Sequence, residues 1–274
     1  MGHAISVQHG IYGRASLLRL DRPFVTHAHR EAHLIFRVSG NSSLVTVDGV
    51  PTIADGIMAV AVNPWEPHSF EVVPGGGPST CLVLYVRPEW FADEFAPGNT
   101  PLHYGRSRFQ VTPDLAHWVY QLSDMLAAQE GGVAAADCLA EIAGRSHTLT
   151  WRQANERPSD GHADLSLDRR VSRARALMEE RFAEDIEMNW LARESGLSRP
   201  HFFKLFKSQI GVTPNIYLNT LRCERAIGDL LDPVKSVTEI GYDLGFSSQA
   251  SFTRFFSANL GMPPSDYRRA ALVR

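Results

Sequence analysis

Cysteine is scarce in this sequence: three residues among 274, Cys81, Cys138 and Cys223, with no CxxC pair. Neither a disulfide framework nor a cysteine zinc site is expected, and a reducing compartment fits best. Long hydrophobic runs are missing too. Stretches such as residues 57–62 fall far short of the roughly 18 residues that cross a bilayer. The opening Met1-Gly2-His3-Ala4 lacks a basic stretch followed by an apolar core, so a cytoplasmic protein without a secretory leader is expected. No nucleophile elbow, P-loop or dinucleotide fingerprint occurs, and no catalytic residue is nominated. What remains is ordinary globular material, 44% hydrophobic and 21% charged, long enough for about two domains.

Negative charge is missing from one region in particular. The net charge of -3 hides sixteen Lys/Arg against thirteen Asp/Glu from Ser166 to Arg274, a balance of +3, which leaves -6 for residues 1–165. Between Glu194 and Glu224 there is no carboxylate at all, while Arg199, Lys204, Lys207 and Arg222 lie there. A polyanion would feel that patch more than the modest net charge.

The first hundred residues read as β. Apolar or alternating runs at 15–20, 33–38, 43–47, 57–62, 68–73 and 80–86 are separated by Gly, Pro, Asn and Asp clusters, the pattern of a sandwich or barrel. Asp48-Gly49 between two β-branched runs marks a hairpin. From Thr112 the period becomes helical: Leu115, Val119, Leu122 and Leu126 form a stripe, and a second helix is expected over about 134–151. The stripe carries more apolar surface than a small barrel obviously covers, so pairing of two chains through residues 112–151 is expected, the alternative being packing on its own barrel. Residues 153–165 are polar, contain Pro158 and Gly161, and read as a linker. The expected order is therefore a β domain over 1–110, a helical dimerisation region over 111–152, the linker over 153–165 and a helical domain over 166–274.

The helical half repeats itself. Ser198, Phe202, Phe206, Gly211, Pro214 and Tyr217 recur fifty positions later as Ser248, Phe252, Phe256, Gly261, Pro264 and Tyr267. Each copy has the grammar of a helix-turn-helix. A short helix ends at a glycine (Gly196 or Gly245), an apolar residue pins the turn (Leu197 or Phe246), and a serine stands where an N-cap is wanted. Phenylalanines four apart make the buried stripe of the next helix. Its other face carries Arg199, Phe203, Lys204 and Lys207 in the first copy, and Gln249, Thr253 and Arg254 in the second. A merely solvated helical repeat would mix charge signs, and a solenoid would want three or more units.

The last hundred residues resemble the AraC/XylS family of bacterial transcription regulators. The resemblance rests on Leu191 to Ser198 followed by His201 to Lys207, then Val237 to Gly241, Gly245 to Gln249, Phe252 to Phe256, and Gly261 to Arg268. Gly241 in place of alanine and the aromatic Phe203 depart from the family pattern. The resemblance implies a nucleoid-associated protein that binds double-stranded operator DNA, its two recognition helices entering successive major grooves roughly 34 Å apart. Expected base contacts are Arg199, Phe203, Lys204, Gln249, Thr253 and Arg254, with Arg193 and Lys207 on phosphates.

In the β half, His27-Ala28-His29, His33 and Gly40 match the first cupin motif with histidine in place of its glutamate, and Gly56, Pro64 and His68 are what remains of the second. A cupin-like barrel is also the usual sensor domain of AraC-like regulators. His27, His29, His33 and His68 would converge inside the barrel. They could hold Zn, Fe, Ni or Cu, surround an organic effector, or serve as hydrogen-bonded core, and no cofactor is strictly required. If His33 points inward, so does Arg37, which suggests an anionic effector; Trp65 would cap the pocket or simply pack. The whole chain reads as an α+β protein: a cupin-like barrel, helices and a double helix-turn-helix, controlled by a small effector. A cupin enzyme with an appended helical domain is the rival, and the repeat with its basic faces argues against it. A DNA-binding protein with no ligand is the third reading.

Overall fold

The computed structural model of the chain describes residues 2–73, 76–95, 102–152 and 167–272. Among the described residues ten strands form two antiparallel sheets. The larger orders β1 (His3–Gly10), β2 (Gly13–Leu20), β9 (Ser79–Val86), β4 (Ala32–Gly40), β7 (Met58–Val62) and β10 (Arg108–Gln110). The smaller orders β3 (Phe24–His27), β8 (His68–Val72), β5 (Ser43–Val47) and β6 (Val50–Ala54). Asp48 and Gly49 both have positive φ, 44° and 80°, and Val47 pairs with Val50 across them, the two-residue hairpin that Asp-Gly favours. Four strands lie outside the expected runs, β1, β3, β6 and β10, and the last three are weak in the expected signal. Four-residue β3 is too short to alternate, β10 has three residues, and β6 carries Pro51, tolerated because this strand lies at a sheet edge.

Strand β9 is buried along its whole inner run, Cys81 to Val86, because both of its faces are covered. Cys81, Val83 and Tyr85 point into the barrel with Ile35, Val45, Val60, Val62 and Phe70. Leu82, Leu84 and Val86 point outward and join Leu17, Leu34 and Phe36 under two helices. Those helices are α2 (Pro113–Ala127), capped by Thr112, whose side chain accepts from the Leu115 amide, and α3 (Val133–Arg152). A short α1 (Pro88–Phe95) precedes them.

This arrangement corrects the expected dimerisation stripe. Leu115, Val119, Leu122 and Leu126 are at most 3% exposed and pack on the outer face of the chain's own large sheet and on Leu139 and Ile142 of α3. The sequence already carried the matching surface, since residues 34, 36 and 38 of β4 and 82, 84 and 86 of β9 are all apolar.

The helical half comprises α4 (Arg169–Arg181), α5 (Met188–Glu194), α6 (Arg199–Ile210), α7 (Pro214–Leu230), α8 (Val237–Asp243), α9 (Gln249–Leu260) and α10 (Pro264–Leu272). The linker expected at 153–165 lies outside the described residues. The two halves share their interior: the barrel core runs without a break into Ala226, Ile240, Phe252, Phe256 and Tyr267 of α7 to α10, and Ala28 joins the core of the first helix-turn-helix. No helix among the described residues is long and apolar enough to cross a membrane. Replacing Leu122 by Ala should lower stability in urea by about 3 kcal/mol, the usual cost of a buried leucine cavity, and leave the sedimentation coefficient of the folded protein unchanged. Dissociation of a dimer at unchanged stability would instead restore the stripe as an interface.

Candidate functional site

The two helix-turn-helix units are α5 with α6 and α8 with α9. In each, the glycine after the first helix is left-handed, Gly196 at φ 68° and Gly245 at φ 80°. At Gly245 a Cβ would lie 1.8 Å from the Ala183 carbonyl oxygen, so both conformation and space demand glycine. The following amides, Leu197 and Phe246, donate back to the carbonyls of Ala192 and Gly241. Ser248 caps α9 in a reciprocal box with Ser251, whereas Ser198 occupies the cap position of α6 without a side-chain hydrogen bond.

Arg199, Lys204 and Lys207 are exposed along α6, Gln249 and Arg254 along α9, and Arg193 at the end of α5. Thr253 is half-buried, and Gln249 Oε1 accepts a 2.9 Å hydrogen bond from Thr238 Oγ1, which leaves its amide NH2 to face outward. Phe203 departs from the expectation of an exposed base contact. Its ring is half-buried against the unit's core with the Arg199 guanidinium 5.6 Å above it, so it positions that arginine.

The four histidines do converge. Ring centroids lie 4.4 Å apart for His27–His68 and His29–His33, 4.8 Å for His33–His68 and 4.9 Å for His27–His29. The strands bring them together: His33 starts β4, His68 starts β8 and pairs with His27 at the end of β3, and His29 lies in the loop between. His27 Nδ1 lies 2.8 Å from the Val25 carbonyl and His68 Nδ1 3.0 Å from that of Glu66, so each Nδ1–H donates and each Nε2 keeps its lone pair. His29 Nε2, His33 Nε2 and His68 Nε2 are buried without a hydrogen-bond partner. Burial lowers all four, His27 to about 4 and His68 to about 3, with His29 and His33 also well below the usual range. The rings are neutral.

Arg37 is not with them. It shares the inward face of β4 but stands four residues along the strand, roughly 13 Å away, at the other end of the barrel. There it donates to the Gly40 carbonyl and lies against Gly56. The expected grouping of Arg37 with the histidines therefore fails on strand geometry. Trp65 does not cap the cluster either; its indole stacks on Tyr217 of α7 at 4.9 Å and 17°.

The sequence reading missed Arg14. Its side chain is buried, its guanidinium carbon 3.4 Å from the centre of the Tyr85 ring, and it donates a 2.9 Å hydrogen bond to the hydroxyl of Tyr267 on α10. His9 Nε2 lies 3.0 Å from that hydroxyl. Burial, then the charge of Arg14, lowers His9 to about 4, so the Tyr267 O–H donates to a neutral ring. An arginine opening a strand ordinarily reads as solvent-facing, and no pattern marked this one. Tyr217 and Tyr267 were visible as a repeated pair. Between the β domain and α7 lies a cleft of about 360 Å³ lined by Arg14, His29, Glu31, Arg87 and Glu224 among others. Burial pushes the Glu224 carboxyl up to about 7 although Arg30 pairs with it at 3.0 Å.

A β-barrel docked on a tandem helix-turn-helix, with Arg199, Lys204 and Lys207 exposed along α6 and Arg254 on α9, is the build of a two-domain transcription regulator. Residues 191–270 match the family described as a helix-turn-helix domain. Over 259 residues the chain is 27% identical to the HTH-type transcriptional activator RhaS of Escherichia coli O139:H28, covering 92% of this chain and 90% of the relative. The RhaS of Shigella boydii serotype 18 is 26% identical over the same span. Among solved structures, ToxT from Vibrio cholerae strain SCE256 with bound unsaturated fatty acid aligns over 94% of this chain and 95% of that one, TM-score 0.57 at 13% identity. ToxT from Vibrio cholerae O395 aligns over 95% and 98%, also at 0.57, with 11% identity; these structures share the fold. The carboxy-terminal third is thus a helix-turn-helix DNA-binding domain, and along most of its length the chain is similar to transcriptional activators rather than to enzymes.

Two outcomes follow for this site. Arg254→Ala should weaken binding to a selected operator by roughly 1–3 kcal/mol and relax preference at one base, read by competition against duplexes substituted at each position. Uniform weakening on all duplexes would make Arg254 a phosphate contact. The histidines set the pH response of the metal-free protein. Their folded-state values lie below the unfolded value of 6.5, so the unfolded chain binds more protons as the medium acidifies. Stability is full above pH 6.5 and falls as pH drops toward about 4, by about 3 kcal/mol for a group shifted that far. Urea midpoints between about pH 8 and pH 5 should fall accordingly, and a flat profile would contradict burial of neutral rings.

Proposed function

We propose that this regulator is controlled by a small ligand held in the β domain, at the end of the barrel on which α7 rests. The observation that carries this is a single contact: Thr220 Oγ1 of α7 donates a 2.8 Å hydrogen bond to the carbonyl of Ala28, the residue between His27 and His29. A ligand that reshapes the histidine loop changes what the DNA-binding half rests on. Neighbouring contacts reinforce it, with Trp65 stacked on Tyr217 and Arg30 paired with Glu224. The ToxT structure with a bound unsaturated fatty acid supports a small-ligand role for this fold.

The two helix-turn-helix units are gripped at repeat-equivalent places. The Trp65 carbonyl lies 3.3 Å from where a Cβ on Gly211 would be, and Phe24 packs at Gly261; Tyr217 meets Trp65 and Tyr267 meets Arg14. One rigid barrel thus references both recognition helices. A ligand works here only through different affinities for two docked arrangements, and the coupling is reciprocal, so operator DNA must act back on the loop. Hydrogen exchange of the full chain with and without an operator selected from random duplexes should show exchange in residues 24–33 changing by about fivefold or more, the lower range of such couplings. Thr220→Val and Trp65→Ala should remove the effect. Unchanged exchange in the wild-type loop would end the ligand-control reading.

A further inference from the structure

We propose that Thr238 sets the base specificity of the second helix-turn-helix unit, by holding the Gln249 amide in the orientation that reads adenine. Gln249 is the first residue of α9 and is exposed. Thr238, the second residue of α8, donates its hydroxyl to Gln249 Oε1 at 2.9 Å. An amide oxygen has two acceptor positions and the amide nitrogen two donor hydrogens. The bond to Thr238 takes the oxygen's position on the α8 side. The second acceptor position and an N–H remain side by side on the outward edge. That pair matches adenine, whose N6 amino group donates and whose N7 accepts in the major groove.

The hydrogen bond spans two fixed points. Helix α8 begins in a reciprocal cap, in which the Glu239 amide donates to Ser236 Oγ at 3.1 Å and the Ser236 amide donates to Glu239 Oε2 at 2.7 Å. Helix α9 begins in another, Ser248 with Ser251, so both termini are held against fraying. Three residues further along each helix, Gly241 and Phe252 make the next contact of the same crossing. A Cβ at position 241 would lie 3.0 Å from the Phe252 Cβ, closer than side-chain carbons ordinarily pack. Residues three apart share a helix face, so the close approach that Gly241 permits brings Thr238 within reach of Gln249. The glycine that departs from the AraC/XylS pattern thereby acquires a role in reading DNA.

An unrestrained glutamine would serve this position poorly. Its amide turns end for end and matches different bases in each orientation, and ordering a long side chain on binding costs affinity. In the first unit the same repeat position carries Arg199, which offers donors only and lies over the Phe203 ring. Donors alone match guanine, whose O6 and N7 both accept. The two units therefore present different chemistry at equivalent places, each oriented by a neighbouring side chain. The competing role for Thr238 is a phosphate contact, but a hydroxyl has one proton, and this one is already donated to Gln249. The inference concerns DNA reading and is independent of the ligand-control reading above.

The test uses the full-length protein and an operator selected from random duplexes, with affinity measured for every single-base-pair substitution. The wild type should show one position where adenine is preferred by about 5–150-fold, the discrimination of a bidentate pair, and Gln249→Ala should abolish that preference. Thr238→Val, close in shape but without the hydroxyl, should cut it about fivefold, the worth of one net hydrogen bond. The preference set by Arg254 and the salt dependence of binding should stay as in the wild type. Thr238→Ser should restore the adenine preference, and Gly241→Ala should cut it at the same position. A base other than adenine at the position that Gln249 controls overturns the proposal, and so does an unchanged adenine preference in Thr238→Val. Equal weakening of that variant on all duplexes, with a shallower salt dependence, also overturns it, because Thr238 would then be a phosphate contact.

Discussion

A buried guanidinium constrains how the two halves of this protein fit together. Arg14 on β2 lies on the Tyr85 ring of its own domain and donates to the Tyr267 hydroxyl of the other, so this hydrogen bond exists only while α10 is docked. A hydrogen bond from a charged donor contributes about 1.5–3 kcal/mol, and its geometry makes the docked orientation specific. Hydrophobic burial alone is non-directional. The shared core that runs from Val60 and Tyr85 into Phe252 and Phe256 supplies adhesion, and Arg14 supplies register.

The internal repeat acquires a second meaning in this setting. Gly211 and Gly261 end the recognition helices in left-handed turns, and the following helices bring Tyr217 and Tyr267 to equivalent positions. Each tyrosine fills its own unit's core beside Phe206 or Phe256. Each also turns a surface toward the barrel, Tyr217 to Trp65 and Tyr267 to Arg14 and His9. A residue pair kept for packing is thereby also the pair by which a single barrel holds two DNA-reading units. The amino-terminal ends of α6 and α9, with Arg199, Gln249 and Arg254, stay exposed while the carboxy-terminal ends are held.

A path of direct contacts leads from the histidines to both units. His33 lies against Tyr85 at 4.1 Å, the other side of the layer is Arg14, and beyond it stands Tyr267 in the second unit. In the first unit the route is shorter, from the His27–His29 loop through the Ala28 carbonyl to Thr220. Packed interiors deform in discrete steps, so a change in the cluster has two short mechanical outlets and little room to dissipate elsewhere.

Much of this was legible in the chain. The helix-turn-helix pair was fixed by features a few residues apart, a glycine stop, an apolar pin and a phenylalanine stripe, and local backbone physics reads such features directly. The strands with clear alternation, the Asp48-Gly49 hairpin and the helical region after Thr112 were legible for the same reason. The convergence of His27, His29, His33 and His68 was what the cupin resemblance implied. What tertiary structure alone decided are matters of which surface meets which. The α2 stripe had two possible partners of equal chemistry, and only the apolar outer face of β4 and β9 settled that it covers its own barrel. Arg37 and His33 share a face, but distance along a strand separates what periodicity groups together. Arg14 opens a strand like any solvent-facing arginine and becomes the docking cation because Tyr267, 253 residues later, folds over it. Sequence patterns report what a residue can do within a turn or two of its own backbone; contacts between distant segments depend on the closed chain, and those contacts join the histidines to the DNA-reading helices.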